Sequence, residues 1–405
     1  MTDTDSLRQV PACVEACLSP PRNRQPEAAA ADARRPGVIV LALDGLAFHV
    51  AAEGLRRAEL APLRSTFPST SATAWLTSVT GADVSVHGAV GTVYREPGTN
   101  RVINIITGTS TGVHTRGSAR APLVNTLPTI FHRARALGAQ AVAVGPELAG
   151  LSGPWIKALL HGATLRRPGE PPACTAPGVA DRIVREVEAV LAAPRASALL
   201  LWAYVNLDDH IHQLGYDAAL FAALRALDEA ACRWADRGWT VLAHADHGQV
   251  AVSPHAQLIE RWDALDDPWN CRAPSGGAGR VRWLYPRAGK EERLAADLRA
   301  ALGEHAFVLT ADELDDRGLM TLSPAVRARI GEIVAVAASP RFPVPDPTVA
   351  YEHGSITEDE VLVPFAAWGA PALPALSGTA TANGAATEPT GSATAAAATS
   401  AYSPA

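Results

Sequence analysis

Val38 to Leu43 (VIVLAL) is an unbroken apolar run, the pattern of a strand buried on both faces of a parallel sheet, and it ends in Asp44-Gly45. Ala198 to Val205 (ALLLWAYV) repeats the pattern and runs into Asn206, Leu207, Asp208, Asp209, His210, Ile211 and His212. A third strand, Thr240 to Ala243, leads into Ala245-Asp246-His247-Gly248. Between these runs, apolar residues at helical spacing predict helices over Thr126 to Leu137, Ala180 to Leu191 and Asp217 to Trp234, with a strand at Ala141 to Val144. In the stretch FPSTSATAWLTSVTG (67 to 81), Ala72, Ala74, Trp75, Leu76 and Val79 predict a helix that begins at the hydroxyls Ser69, Thr70 and Ser71. Strands alternating with helices predict an α/β fold, a doubly wound, mostly parallel sheet with helices on both faces.

That alternation does not cover the whole chain. Residues 1–36 are rich in Ala, Pro and Arg without a sustained apolar face and read as a mostly disordered leader. Residues 37–249 and 351–366 carry the main α/β pattern. Residues 250–350 read as a smaller inserted α/β lobe, with strands at Val281 to Tyr285, Phe307 to Leu309 and Ile333 to Ala337. Residues 367–405 are an Ala/Thr/Ser-rich tail in which Glu388 is the only charge after residue 369, a composition expected to be disordered.

Composition narrows the function by exclusion. Apolar residues make up 48% and charged residues 19%, as in globular domains, and 35 basic against 41 acidic side chains give a net charge of −6. No basic stripe invites duplex nucleic acid. The five cysteines, at 13, 17, 174, 232 and 271, form no CxxC pair, so neither a disulfide framework nor a thiolate zinc site is expected. Reduced thiols, no secretory signal and no run long enough to span a membrane suggest a cytoplasmic protein.

The candidate chemistry sits at strand ends and at one helix start. In open α/β sheets, ligands gather at the carboxyl ends of the strands. There the chain places Asp44, Asp208, His212, Asp246, His247 and, beyond the lobe, His353, together with the hydroxyl of Ser71. If a helix follows Asn206, Asp208 and His212 lie one turn apart on one face and can hold the same ion. Three carboxylates, three imidazoles and a hydroxyl are the inventory of a two-metal phosphoryl-transfer site, and N/O ligation without thiolate suits zinc, with manganese or iron as alternatives. Each residue alone has a duller reading, a strand-end cap or a satisfied core histidine; their joint occurrence gives the assignment its weight.

In order, LALDG, FPSTS with TG and HG beyond it, YVNLDDHIHQLG, ADHG and EHGS with a following VPF resemble the type I phosphodiesterase/nucleotide pyrophosphatase branch of the alkaline phosphatase superfamily, over residues 37–366. The resemblance implies an alkaline-phosphatase-like fold, a small-molecule phosphoester as substrate and two divalent metal ions. It matches Ser71 to the metal-bound nucleophile, Asp44, Asp246 and His247 to the ligands of the metal that activates it, and Asp208, His212 and His353 to the second metal. Asp209 and His210 fit the spacing less well and are read as neighbours. Many relatives carry threonine where this chain has Ser71, with Thr70 the alternative at a register one residue off. Nucleotide pyrophosphatases often place an asparagine three residues beyond the nucleophile to hold a phosphate oxygen; Ala74 stands there, leaving Thr73, Arg95 or a backbone N–H to supply that contact.

The expected reaction is phosphodiester hydrolysis through a phosphoseryl intermediate on Ser71. Phosphonate or phosphomonoester hydrolysis at the same site is the alternative. A non-catalytic binding or scaffold protein that keeps the fold is the alternative of another class, though such a chain would be expected to have lost ligands. A sulfatase would need a Cys/Ser-x-Pro-x-Arg sequence, which is absent. Gly108 to Gly112 spells G-x-S-x-G, but no helical pattern follows it, so Ser110 is expected in a loop rather than at a nucleophile elbow.

Overall fold

The structure is a computed structural model that describes residues 6–19, 37–113, 122–167, 169 and 173–369. Its main sheet has seven strands in the spatial order Glu59–Arg64, Leu362–Trp368, Thr240–Ala245, Gly37–Asp44, Leu199–Asn206, Gln140–Val144 and Thr164–Leu165. The last five are parallel to one another; Leu362–Trp368 runs antiparallel to both its neighbours. Val38 to Leu43 are at most 1% exposed, so the run lacks alternation because both of its faces are covered. Each such Leu, Ile or Val removed from water contributes about 1.5–3 kcal/mol.

Two groups of helices cover the sheet, so the predicted mostly parallel α/β architecture is borne out. Helices Ala176–Leu191 and Ala218–Asp236 pack against each other, joined by Trp234 Nε1–H donating to Glu188 Oε1 at 2.8 Å, and helix Phe48–Gly54 lies against the second of them. The other group holds Ser71–Thr80, Ile130–Ala136 and Pro154–Leu159. Between that group and the sheet, Trp75 meets the rings of Trp202 and Tyr204, and Trp202 meets Phe131.

Residues 6–19 correct the expectation of a disordered leader. Val10–Leu18 is a helix on this second group, with Leu7, Val10, Cys13 and Val14 buried. Their spacing of three, three and one residues is a narrow apolar stripe, legible only once a surface exists to receive it. Residues 20–36 and 370–405, also expected to be unstructured, lie outside the described residues.

A second seven-stranded sheet, antiparallel throughout, runs Ala306–Thr310, Ile333–Ala337, Val281–Pro286, Cys271–Ala278, Val93–Arg95, Asn100–Asn104 and Ser110–Val113. It draws on two stretches of chain, 93–113 as well as 271–337. Helices Ala256–Leu265 and Glu291–Leu302 enclose a second apolar cluster around Trp262, Leu284, Leu298 and Phe342. Ser110 pairs with Ile103 as part of a strand, which corrects the expected loop and leaves no strand-to-helix elbow there. No helix among the described residues is long and apolar enough to cross a membrane.

Candidate active site

The sheet brings its chemistry to one edge by register. Asp44 is paired with Asn206 at the end of one strand couple, and Leu43 with Ala245 at the end of the other, so Asp208 and Asp246 follow beside Asp44. The helix Asp208–Leu214 starts directly after its strand and carries Asp208 and His212 one turn apart. His353 arrives by a different route. The short antiparallel pair Val250–Ala251 with Tyr351–Glu352 fastens its segment beside the Asp246-His247 loop, and Ser69 bridges to Gly354.

Ser71 is the first residue of helix Ser71–Thr80, after an extended Thr70 (φ −145°, ψ 148°). Thr70 makes no side-chain cap; its Oγ1 lies 3.1 Å from Thr92 Oγ1. The Ser71 hydroxyl turns into the cluster, donating to Asp44 Oδ1 at 3.2 Å, with His247 Nε2 at 3.0 Å. His247 Nε2 is 3.3 Å from Asp246 Oδ2 and 3.7 Å from Asp44 Oδ1. Asp208 Oδ2 is 3.2 Å from His212 Nε2. The rings of His247 and His353 stack with centroids 3.6 Å apart, so the two clusters share a wall. All seven residues singled out from the sequence therefore meet in one place, as Asp44, Asp246 and His247 with Ser71, and as Asp208, His212 and His353.

In each trio the ligating atoms lie within 4.8 Å of one another, and their chemistry fits cations. The Nδ1 of each imidazole faces a backbone carbonyl: Tyr351 O at 2.8 Å for His212, Ser69 O at 2.8 Å for His353, and Gly248 O at 3.2 Å for His247. Those bonds put the proton on Nδ1 and turn the Nε2 lone pair inward, the arrangement a metal-binding histidine needs. Asp246 Oδ2 is buried without a hydrogen-bond partner among the described residues. Burial, with Asp246 and then Asp208 nearby, drives Asp44 well above the usual carboxylate range, and burial with Asp208 raises Asp246 to about 7. Three crowded carboxylates out of water need positive charge beside them. Burial also opposes ionisation at Asp208, but the His212 charge outweighs it and holds the acid low; reciprocally, Asp208 raises His212 against burial to about 10, so His212 Nε2 carries a proton that a cation would displace. His353 is held well below its ordinary value by burial and by His247, which keeps it neutral.

Sequence reasoning missed several groups that hold this cluster. Tyr204 donates to Asp44 Oδ2 from inside the strand Leu199–Asn206, where one hydroxyl in an apolar run was the only signal. Gly45 N donates to Asp246 Oδ1 at 3.1 Å, and Gln249 Nε2 donates to Asp208 Oδ1 at 2.6 Å. The two neighbours of Asp208 face other partners: Asp209 accepts from Asn206 Nδ2 at 2.8 Å, and His210 Nε2–H donates to Asp217 Oδ1 at 3.0 Å. Arg95, considered as a phosphate contact, instead donates to Ala328 O and lies over Tyr285. Thr73 Oγ1 is buried next to Ala74 with no partner among the described residues.

Known structures share this fold. Murine ectonucleotide pyrophosphatase/phosphodiesterase 5 superposes with a TM-score of 0.59 at 16% identity, over 81% of this chain and 87% of that one, and an inactive threonine-to-alanine variant of it in complex with AMP does so equally. Phosphonoacetate hydrolase from Sinorhizobium meliloti 1021, in complex with phosphonoacetate, gives 0.55 at 20% identity, over 82% and 90%. A comparison with curated protein sequences gave no match. The profile of the type I phosphodiesterase/nucleotide pyrophosphatase family matches residues 38–346. That span takes in all of the strand-end motifs except the one at His353, and the chain belongs to this family of phosphoester hydrolases.

Proposed function

We propose that the protein hydrolyses small phosphodiesters, nucleotide-like ones among them, in two displacements through Ser71. The observation that carries this reading is the Ser71 hydroxyl, which stands on the first residue of a helix and lies between Asp44 Oδ1 and His247 Nε2. Two divalent cations, one held by Asp44, Asp246 and His247 with Ser71 and one by Asp208, His212 and His353, would polarise the phosphoryl group and offset charge on the attacking and departing oxygens; zinc suits this donor set best. With the cation beside Asp44, Asp246 and His247, the pKa of the Ser71 hydroxyl would fall so that its proton leaves to water. Ser71 Oγ attacks phosphorus as the bond to the departing oxygen breaks, and that oxygen takes a proton from water. The free N–H groups of the first turn of helix Ser71–Thr80 favour the anionic phosphoryl group beside the new Oγ–P bond. Water then cleaves the phosphoseryl ester, releasing a phosphomonoester and restoring the hydroxyl. The murine relative is inactive as a threonine-to-alanine variant, and loss of the Ser71 hydroxyl is expected to inactivate this chain likewise. The likeness to phosphonoacetate hydrolase makes a phosphonate the second reading.

The test is hydrolysis of a nitrophenyl phosphodiester, the matching monoester and a phosphonate by metal-reconstituted protein, with Ser71→Ala as control. Diester turnover above monoester, lost in the variant, is expected. Cleavage of the phosphonate alone would replace the first reading by the second.

A further inference from the structure

We propose that Gln249 is a positioning residue that fixes which oxygen of Asp208 faces the second cation, and so sets the affinity of that site; the inference rests on the two-cation reading above. Gln249 follows Asp246-His247-Gly248 and is 1% exposed. Its Nε2 donates to Asp208 Oδ1 at 2.6 Å and is 3.3 Å from Asp208 O. The amide has one sensible orientation, because the reverse would set its oxygen against a carboxylate. Oε1 is buried without a partner among the described residues, so the amide is held in the site through its nitrogen.

The backbone of Gln249 is held as firmly as its side chain. Tyr216 Oη accepts from Gln249 N at 2.8 Å and donates to Gln249 O at 3.0 Å. Gly45 presses on the other side: a Cβ there would lie 2.8 Å from Asp208 Oδ1 and 3.1 Å from Gln249 Nε2. With Oδ1 engaged, Oδ2, 3.2 Å from His212 Nε2, is the oxygen left to the cation. Asp208 thus enters as a single-oxygen ligand beside two imidazoles, a set of three donors that leaves positions open for substrate. Freed of Gln249, the carboxylate can rotate, and loss of such an orienting partner typically costs 10–100-fold in metal affinity.

The experiment is calorimetric titration of zinc into the chelator-stripped protein, with His212→Ala marking the second-site event by its disappearance. Wild type should take up two ions per chain. Gln249→Met, similar in size without the donor, should weaken the second event by about 10–100-fold and leave the first unchanged. Gln249→Asn, which keeps the amide and loses its reach, should match Met. Unchanged binding at both sites in Gln249→Met overturns the inference while the two-cation reading stands. Equal weakening at both sites overturns it in favour of a general packing role. Fewer than two ions bound by wild type removes the two-cation reading itself, and the inference with it.

Discussion

Replacing Arg280 with methionine tests how the antiparallel sheet is fastened to the site. Arg280 lies in the turn between the strands Cys271–Ala278 and Val281–Pro286, and its side chain is 2% exposed. Its Nε donates at 3.0 Å to Glu360 Oε1, on a side chain that is 0% exposed, and its Nη1 donates to Ser339 O at 3.2 Å. The same carboxylate accepts from Ser355 N at 2.8 Å and from Thr357 Oγ1 at 2.6 Å, and Arg280 N donates to His353 O at 2.7 Å. This pair therefore joins the second sheet to the loop that carries His353. Removing one member strands a charge out of water, and breaking a buried pair in this way costs about 3–5 kcal/mol. Arg280→Met should lose that much in urea unfolding followed by tryptophan fluorescence. Adding Glu360→Gln removes the stranded charge and keeps an acceptor for Ser355 N, so the double variant should recover about 1–3 kcal/mol. A single-variant loss below about 1 kcal/mol, the range of an exposed pair, would refute the reasoning, as would a double variant less stable than the single.

Other outcomes follow from the same geometry. His87 accepts from Ala89 N at Nδ1 and faces Thr77 Oγ1 at Nε2; burial, reinforced by Arg329 and opposed by Asp83, lowers it to about 4. The unfolded chain thus binds the extra proton first, so the stability of neutral His87 is complete above about pH 6.5 and is lost as pH falls toward 4. The stability gap between wild type and His87→Gln should accordingly shrink by about 1.4 kcal/mol per pH unit in that window, and a constant gap would contradict the assignment. Gly45→Ala places a Cβ against Asp208 Oδ1 at a backbone φ of +81°, and should cut kcat by about 100-fold; near-normal turnover would show that the contact relaxes freely. Chelation should lower the melting temperature, and zinc at 100 times its Kd should restore about 2.7 kcal/mol per site; a melt indifferent to both would count against cation binding.

The chemistry was legible because a parallel sheet converts linear motifs into a place. Asp44, Asp208 and Asp246 each lie at or just beyond a strand's carboxyl end, and strand register alone gathers them. Ser71 was legible as a hydroxyl at a helix start, but nothing in its own stretch shows that it meets Asp44 and His247, which lie 27 and 176 residues away. The supports were hidden for a similar reason. Tyr204 and Gln249 act across the sheet edge, and nothing in their neighbouring residues distinguishes them from core filling. The strand Cys271–Ala278, CRAPSGGA, has no alternation and two register shifts, and its pairing with Val93 joins segments far apart in sequence. Helix Val10–Leu18 escaped because a short stripe among Ala and Pro is marginal until a receiving surface stabilises it.

The central claim is a covalent bond from Ser71 to phosphorus. Rapid quenching of the metal-loaded protein during diester turnover, followed by peptide mass spectrometry, should find the retained phosphoryl ester on the peptide containing Ser71, and none in Ser71→Ala. Turnover with that peptide unmodified at every quench time, and with activity surviving in Ser71→Ala, would contradict the account.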